Sequence, residues 1–235
     1  MGYSTEKIAE VNNRLFAPFR DIPNKKTGIA LLFGGRSTSG TIARTAAEEY
    51  HNRRFPKIMV AGGAIITQPE VFAGLLLDKN KAVWSKHTLR DIFTLKTEAD
   101  YMKQVLLEND VPEGDIIIGD NRKKHANQIV EALKEQLMQE FDSATIMTYA
   151  PYLRRSIGTL RFQEVEMPLV GYPVNPFGLN PDNWHQSKLA SLVVRESDNM
   201  NPLNRDGYVG TYTTTVYPEY EKQQQATLLD FSKEP

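Results

Sequence analysis

GIALLFGGRSTSGTIAR, residues 28–44, decides the fold. Ile29 to Phe33 is a short apolar run with no polar alternation, the pattern of a strand covered on both faces. Gly34 and Gly35 then turn the chain, and a polar loop beginning at Arg36 opens a helix near Thr41. Glycine at a strand's end lets backbone N–H groups approach a ligand without a Cβ in the way. A helix N-terminus just beyond offers unpaired donors and a positive dipole end, which suit an anion. The glycine pair has the spacing of neither the P-loop nor GxGxxG, so taken alone it reads equally well as an ordinary strand-to-helix turn.

The arrangement recurs. A second buried strand over 57–60 runs into Ala61-Gly62-Gly63, with a helix over 41–52 between the two glycine pairs. That interval fits one βαβ unit with a right-handed crossover and parallel strands. Both pairs then lie at the carboxyl ends of neighbouring strands, where open α/β sheets bind ligands. Further on, Thr97-Glu98-Ala99-Asp100 opens a helix with an N-cap and an acidic first turn. Strands are expected at 116–118, 144–148 and 165–169, the last two separated by a helix that follows Tyr152-Leu153-Arg154-Arg155 and ends near Phe162. Strands alternating with helices at this interval predict an α/β fold, a Rossmann-like doubly wound and mostly parallel sheet.

Outward from this centre the organisation is simpler. Residues 1–27 read as an N-terminal helix, capped by Ser4 or Thr5, and a linker; 28–171 as the α/β core; 172–235 as an extension packing on the core. In the extension a helix is expected over 185–196, a loop over 198–210 and an edge strand over 212–217. Residues 64–96 carry a short helix over 70–78 and then Trp84, His87 and Arg90 without a clear period. Such an excursion from the carboxyl edge reads either as a lid or as an insertion packing on itself.

Composition excludes several function classes. A net charge of −1 points neither to nucleic acid nor to an anionic membrane surface as a partner. There is no cysteine, which removes thiol catalysis, disulfides and thiolate metal sites. No segment approaches the apolar length of a membrane span and no secretory h-region is present, so the expected location is cytoplasmic. Oligomeric state is not legible. His51, His87 and His185 lack metal-ligand spacing, and HExxH, DxD and a Ser-His-Asp order are all missing, so no metal site is expected.

The order of motifs resembles the YdcF/SanA/ElyC family. GIALLFGG, RTAAEEY from Arg44 and IMVAGG from Ile58 are similar to that family's start, as are Thr97-Glu98-Ala99 leading to NDVP and DIII. The segment from Thr148 to Arg155 is similar to its arginine-bearing loop, and NRDGY from Asn204 resembles the soluble, YdcF-like branch. The likeness spans about residues 28–170 well and continues loosely to about 217. It implies a Rossmann-like fold and a nucleotide-type ligand at the carboxyl edge, with S-adenosylmethionine the usual suggestion, but no established reaction. One departure stands out. Where the family has a neutral Ser-x-Asn-Thr-x-Glu-Asn type segment, this chain has NRKKHANQ over 121–128, whose cations favour a more negative ligand.

The candidate site therefore comprises Gly34, Gly35, Arg36, Gly62, Gly63, Lys123, Lys124, Asn127, Tyr152, Arg154 and Arg155 as ligand-binding residues, with Glu98 and His125 as candidate catalytic groups. Arginine binds phosphate or carboxylate bidentately, and lysine adds a mobile point charge. The run 122–124 reads alternatively as a solvated charge run, and one of Arg154 and Arg155 as a partner for a surface acid. For Glu98, capping and helix-dipole stabilisation compete with a bond to a ribose hydroxyl or a general-base role. His125 is either a general acid or a phosphate ligand, or neither. The leading expectation is a protein binding S-adenosylmethionine, a phosphorylated nucleotide or a sugar nucleotide, with group transfer as its reaction if it has one. The alternatives are a phosphate or pyrophosphate ester hydrolase, with or without metal, and a non-catalytic sensor or partner-binding protein.

Overall fold

The computed structural model describes residues 2–12, 15, 26–34, 38–62, 97–119, 126–175 and 177–205. In chain order these form α1 (Thr5–Val11), β1 (Ile29–Phe33), α2 (Ser39–His51), β2 (Ile58–Ala61), α3 (Glu98–Glu108), β3 (Ile116–Ile118), α4 (Ala126–Glu140), β4 (Ala144–Tyr149), α5 (Leu153–Phe162), β5 (Leu169–Val174) and α6 (Ala190–Arg205). The sheet is parallel throughout, in the order β3-β2-β1-β4-β5. The protein is an α/β chain with a doubly wound, Rossmann-like sheet. Every residue of β1, β2 and β4 is buried, whereas β3 and β5 carry partly exposed positions, as edge strands should.

Alternation along the central strands feeds two cores. Ile29, Leu31, Phe33 and Ile146 point to one face, where α4, α5 and Trp184 cover them. Ala30, Leu32, Val60 and Met147 point to the other, beneath α2 and α3. Each fully buried Leu or Ile contributes roughly 1.5–3 kcal/mol. The first core also takes in segments flanking the sheet unit: Trp184 is fully buried, donates its indole N–H to Asn12 Oδ1 (2.7 Å) and packs beside Tyr3.

Two expectations need correction. The fifth strand is not 165–169 but Leu169–Val174. Val165 and Met167 are buried as loop, because the Arg161 guanidinium donates to both of their carbonyls. Gly171 and Pro173 mimic a loop in the sequence, yet β5 is an edge strand, where proline is tolerated. In the extension, the expected helix over 185–196 is displaced to Ala190–Arg205, so residues expected as loop after 198 are helical. The polar turn that reads as a helix end is held instead by Lys7, whose Nζ meets Asp198 at 2.8 Å and ties α6 to α1. The proposed lid at 64–96 and the strand at 212–217 lie outside the described residues.

Candidate functional site

Strand order reverses at β1, which is flanked by β2 on one side and β4 on the other. Ligand crevices in open α/β sheets form beyond the carboxyl ends of the strands at such a point. Here the crevice is a cleft of about 110 Å³ between the ends of these three strands and helices α3, α4 and α5. Phe33, Gly34, Ala61, Gly62, Glu98, Thr148, Tyr152 and Arg155 are among its lining residues.

Glu98 is brought there by the way α3 starts. Thr97 is the N-cap: its Oγ1 accepts from Asp100 N (3.0 Å), while Asp100 Oδ2 accepts from Thr97 N (3.0 Å). This reciprocal capping box supplies the caps for the first turn, so capping is not the role of Glu98. Its side chain is buried against the glycine ends of β1 and β2. A Cβ on Gly34 would lie 2.5 Å from Glu98 Oε2, and one on Gly62 would lie 2.6 Å from Glu98 Cβ. Glycine at 62 admits the backbone at the start of α3, and glycine at 34 leaves room for the Glu98 carboxylate. Ser39, fully buried in the first turn of α2, completes the seat, its hydroxyl donating to Glu98 Oε1 at 3.1 Å. The Gly34 N–H donates to Ala61 O (3.0 Å) and so belongs to the sheet rather than to an incoming anion.

The opposite wall is β4 and α5. Tyr152 and Arg155 line the cleft, with the Arg155 guanidinium carbon 5.1 Å from the Tyr152 ring centroid. Stacking on an aromatic face holds a guanidinium in place. The neighbouring Ser156 and Thr159 hydroxyls donate back to the carbonyls of Tyr152 (3.1 Å) and Arg155 (2.9 Å), so they present only acceptor capacity to the cleft. Thr148 differs from them. It is fully buried, lines the cleft, and its hydroxyl has no hydrogen-bond partner among the described residues.

Of the expected site residues, the fold therefore gathers Gly34, Gly62, Glu98, Tyr152 and Arg155 around one cleft. Arg154 is buried on α5 and is not among the residues lining it. Asn127 falls in the first turn of α4, whose Ile129 reaches the cleft. Gly35, Arg36, Gly63, Lys123, Lys124 and His125 lie outside the described residues. Sequence reading missed Ser39 and Thr148. The signal available for Thr148 was a polar residue closing an apolar strand at the carboxyl edge. Among the described residues no group of three His, Cys, Asp or Glu side chains could hold a metal ion, and no helix is long and apolar enough to cross a membrane.

No protein-family model, curated protein or solved structure matches the chain.

Proposed function

We propose that this chain binds an anionic, nucleotide-type small molecule in the cleft at the carboxyl edge of its sheet, with a phosphorylated nucleotide or sugar nucleotide favoured over S-adenosylmethionine. The observation that carries the reading is the convergence of Glu98, Thr148 and the stacked Arg155 at the point where the strand order reverses. A guanidinium held on an aromatic ring suits a phosphate, which it can take bidentately. The sequence supports the same sign of ligand: Lys123, Lys124 and His125 immediately precede α4, and Ile129 of that helix lines the cleft. The YdcF-like resemblance points to the same edge of the sheet.

Titration calorimetry with ADP, UDP-glucose, S-adenosylmethionine and inorganic phosphate tests the reading. The phosphorylated nucleotides bind, and Arg155→Ala weakens them by roughly 10–100-fold, as expected for losing a hydrogen bond to a charged group worth about 1.5–3 kcal/mol. Binding of S-adenosylmethionine alone would restore the ligand implied by the resemblance. Absence of binding by every compound would overturn the reading. Turnover of phosphate esters with and without Mg²⁺ then separates a hydrolase, with Glu98 as its acid/base group, from a transferase or a sensor.

A further inference from the structure

Resting on the nucleotide reading above, we infer that the cleft binds its ligand in one orientation: a ribose diol on Glu98 and Thr148, and the phosphate outward on Arg155. The argument begins with register. Leu32 of β1 is level with Met147 of β4, and Phe33 with Ala61 of β2. Thr148 therefore sits one step on from Met147, beside the end of β1, while the start of α3 brings Glu98 over that same strand end from the β2 side. The two side chains flank the end of β1 and both line the cleft.

Their chemistry is complementary. Thr148 is fully buried and its hydroxyl has no partner among the described residues, an arrangement that is costly unless something fills its bonding capacity. Glu98 presents a carboxylate, which accepts only, and Ser39 is one of its donors. A ligand hydroxyl that accepts from Thr148 fills its bonding capacity and can donate in turn to the Glu98 carboxylate, and a vicinal diol does so with its two neighbouring oxygens. A phosphate at the same place would face a buried carboxylate of like sign. Repulsion by Glu98 thus directs the charged end of the ligand to Arg155, at the wall formed by α5. Ser156 and Thr159 cannot replace Thr148 as donors, because their hydrogens are engaged by the helix backbone.

The test measures the affinities of the four ribonucleoside 5′-diphosphates and their 2′,3′-dideoxy counterparts for the wild-type chain, Thr148→Val and Glu98→Gln. Val keeps the shape of Thr in a buried strand, and thermal melting reports whether each variant folds. The expected result is a ribo form bound at least tenfold more tightly than its dideoxy form by the wild type. That ratio collapses towards one in Thr148→Val, with the dideoxy affinity unchanged. Equal affinity for the two forms in the wild type overturns the inference and leaves the nucleotide reading standing. So does an undiminished ratio in a folded Thr148→Val. Binding of none of the eight compounds overturns both.

Discussion

Among the described residues, a depression lies at each end of the strands, and the larger of the two is chemically the quieter. At the amino edge, a groove of about 550 Å³ is lined by Tyr50, His51, Arg53, Phe55, Pro56, Lys57 and Asp115. Its polar groups answer one another: the Tyr50 hydroxyl donates to Asp115 Oδ2 (2.5 Å), His51 Nε2 lies 2.8 Å from Asn109 O, and Lys57 Nζ donates to Gly114 O (3.2 Å). The carboxyl-edge cleft has about 110 Å³, yet it holds a buried carboxylate seated on two glycines and a buried hydroxyl with no partner among the described residues. Volume alone does not mark a site. What marks it is a buried carboxylate beside a buried hydroxyl that has no partner among the described residues, at the edge where parallel strands end.

The largest expected effect comes from Gly62→Ala. The new Cβ would meet Glu98 Cβ at 2.6 Å and Ala99 N at 3.0 Å, so the start of α3 must move. Overpacking of this kind costs about 1–3 kcal/mol, a fall in Tm of roughly 2–12 °C. Melting within 1 °C of wild type would show that α3 is not seated on β2 as described. Gly34→Ala sharpens the contrast. Its Cβ would meet only the carboxylate end of Glu98, which can swing away, so stability stays within about 1 kcal/mol while nucleotide affinity falls at least tenfold. A variant that binds normally would remove the Glu98 carboxylate from the recognition scheme.

At the amino edge the expectation is the reverse. Tyr50→Phe removes the bond to Asp115 and costs about 0.5–1.5 kcal/mol in denaturant melts, with nucleotide affinity unchanged. Altered binding would mean that the larger groove is coupled to the site. The smallest effect is one of pH. Burial first, and then the hydrogen bond to Glu49, push the Tyr172 hydroxyl up to about 12, and the bond to Asp115 raises that of Tyr50. A raised folded pKa makes a contribution that is complete below the unfolded value near 10 and is lost as pH rises through the folded one. Stability should therefore fall between about pH 10 and 12, and less steeply in Tyr172→Phe. An unchanged slope in that variant would place Tyr172 in water.

Much of this comparison was legible in the chain. The runs of β1 and β2 announced themselves because strands buried on both faces are apolar on both, β4 by its β-branched and apolar residues, and Thr97 to Asp100 spelled a helix start in local bonds. β5 was misplaced because its Gly171 and Pro173 carry loop signals that only an edge position neutralises. α6 was misplaced because its polar turn at Asp198 is anchored by Lys7 from the far end of the chain. The glycines were found, but the reason for them was not. They read as openings for a ligand, whereas the space beside them is filled by Glu98, a residue more than thirty positions further on from Gly62.

The sequence by itself determined the parallel sheet, the edge at which its loops gather and the glycine, Glu98 and arginine residues found there. Those follow from hydrophobic periodicity, capping and turn chemistry, all of which act over a few residues. Only the tertiary structure decided that Glu98 rests on Gly34 with Ser39 behind it, that Arg155 and not Arg154 lines the cleft, and that the Thr148 hydroxyl has no partner among the described residues. These depend on which helix packs over which strand end, a matter of packing between segments distant in the chain that no local pattern records.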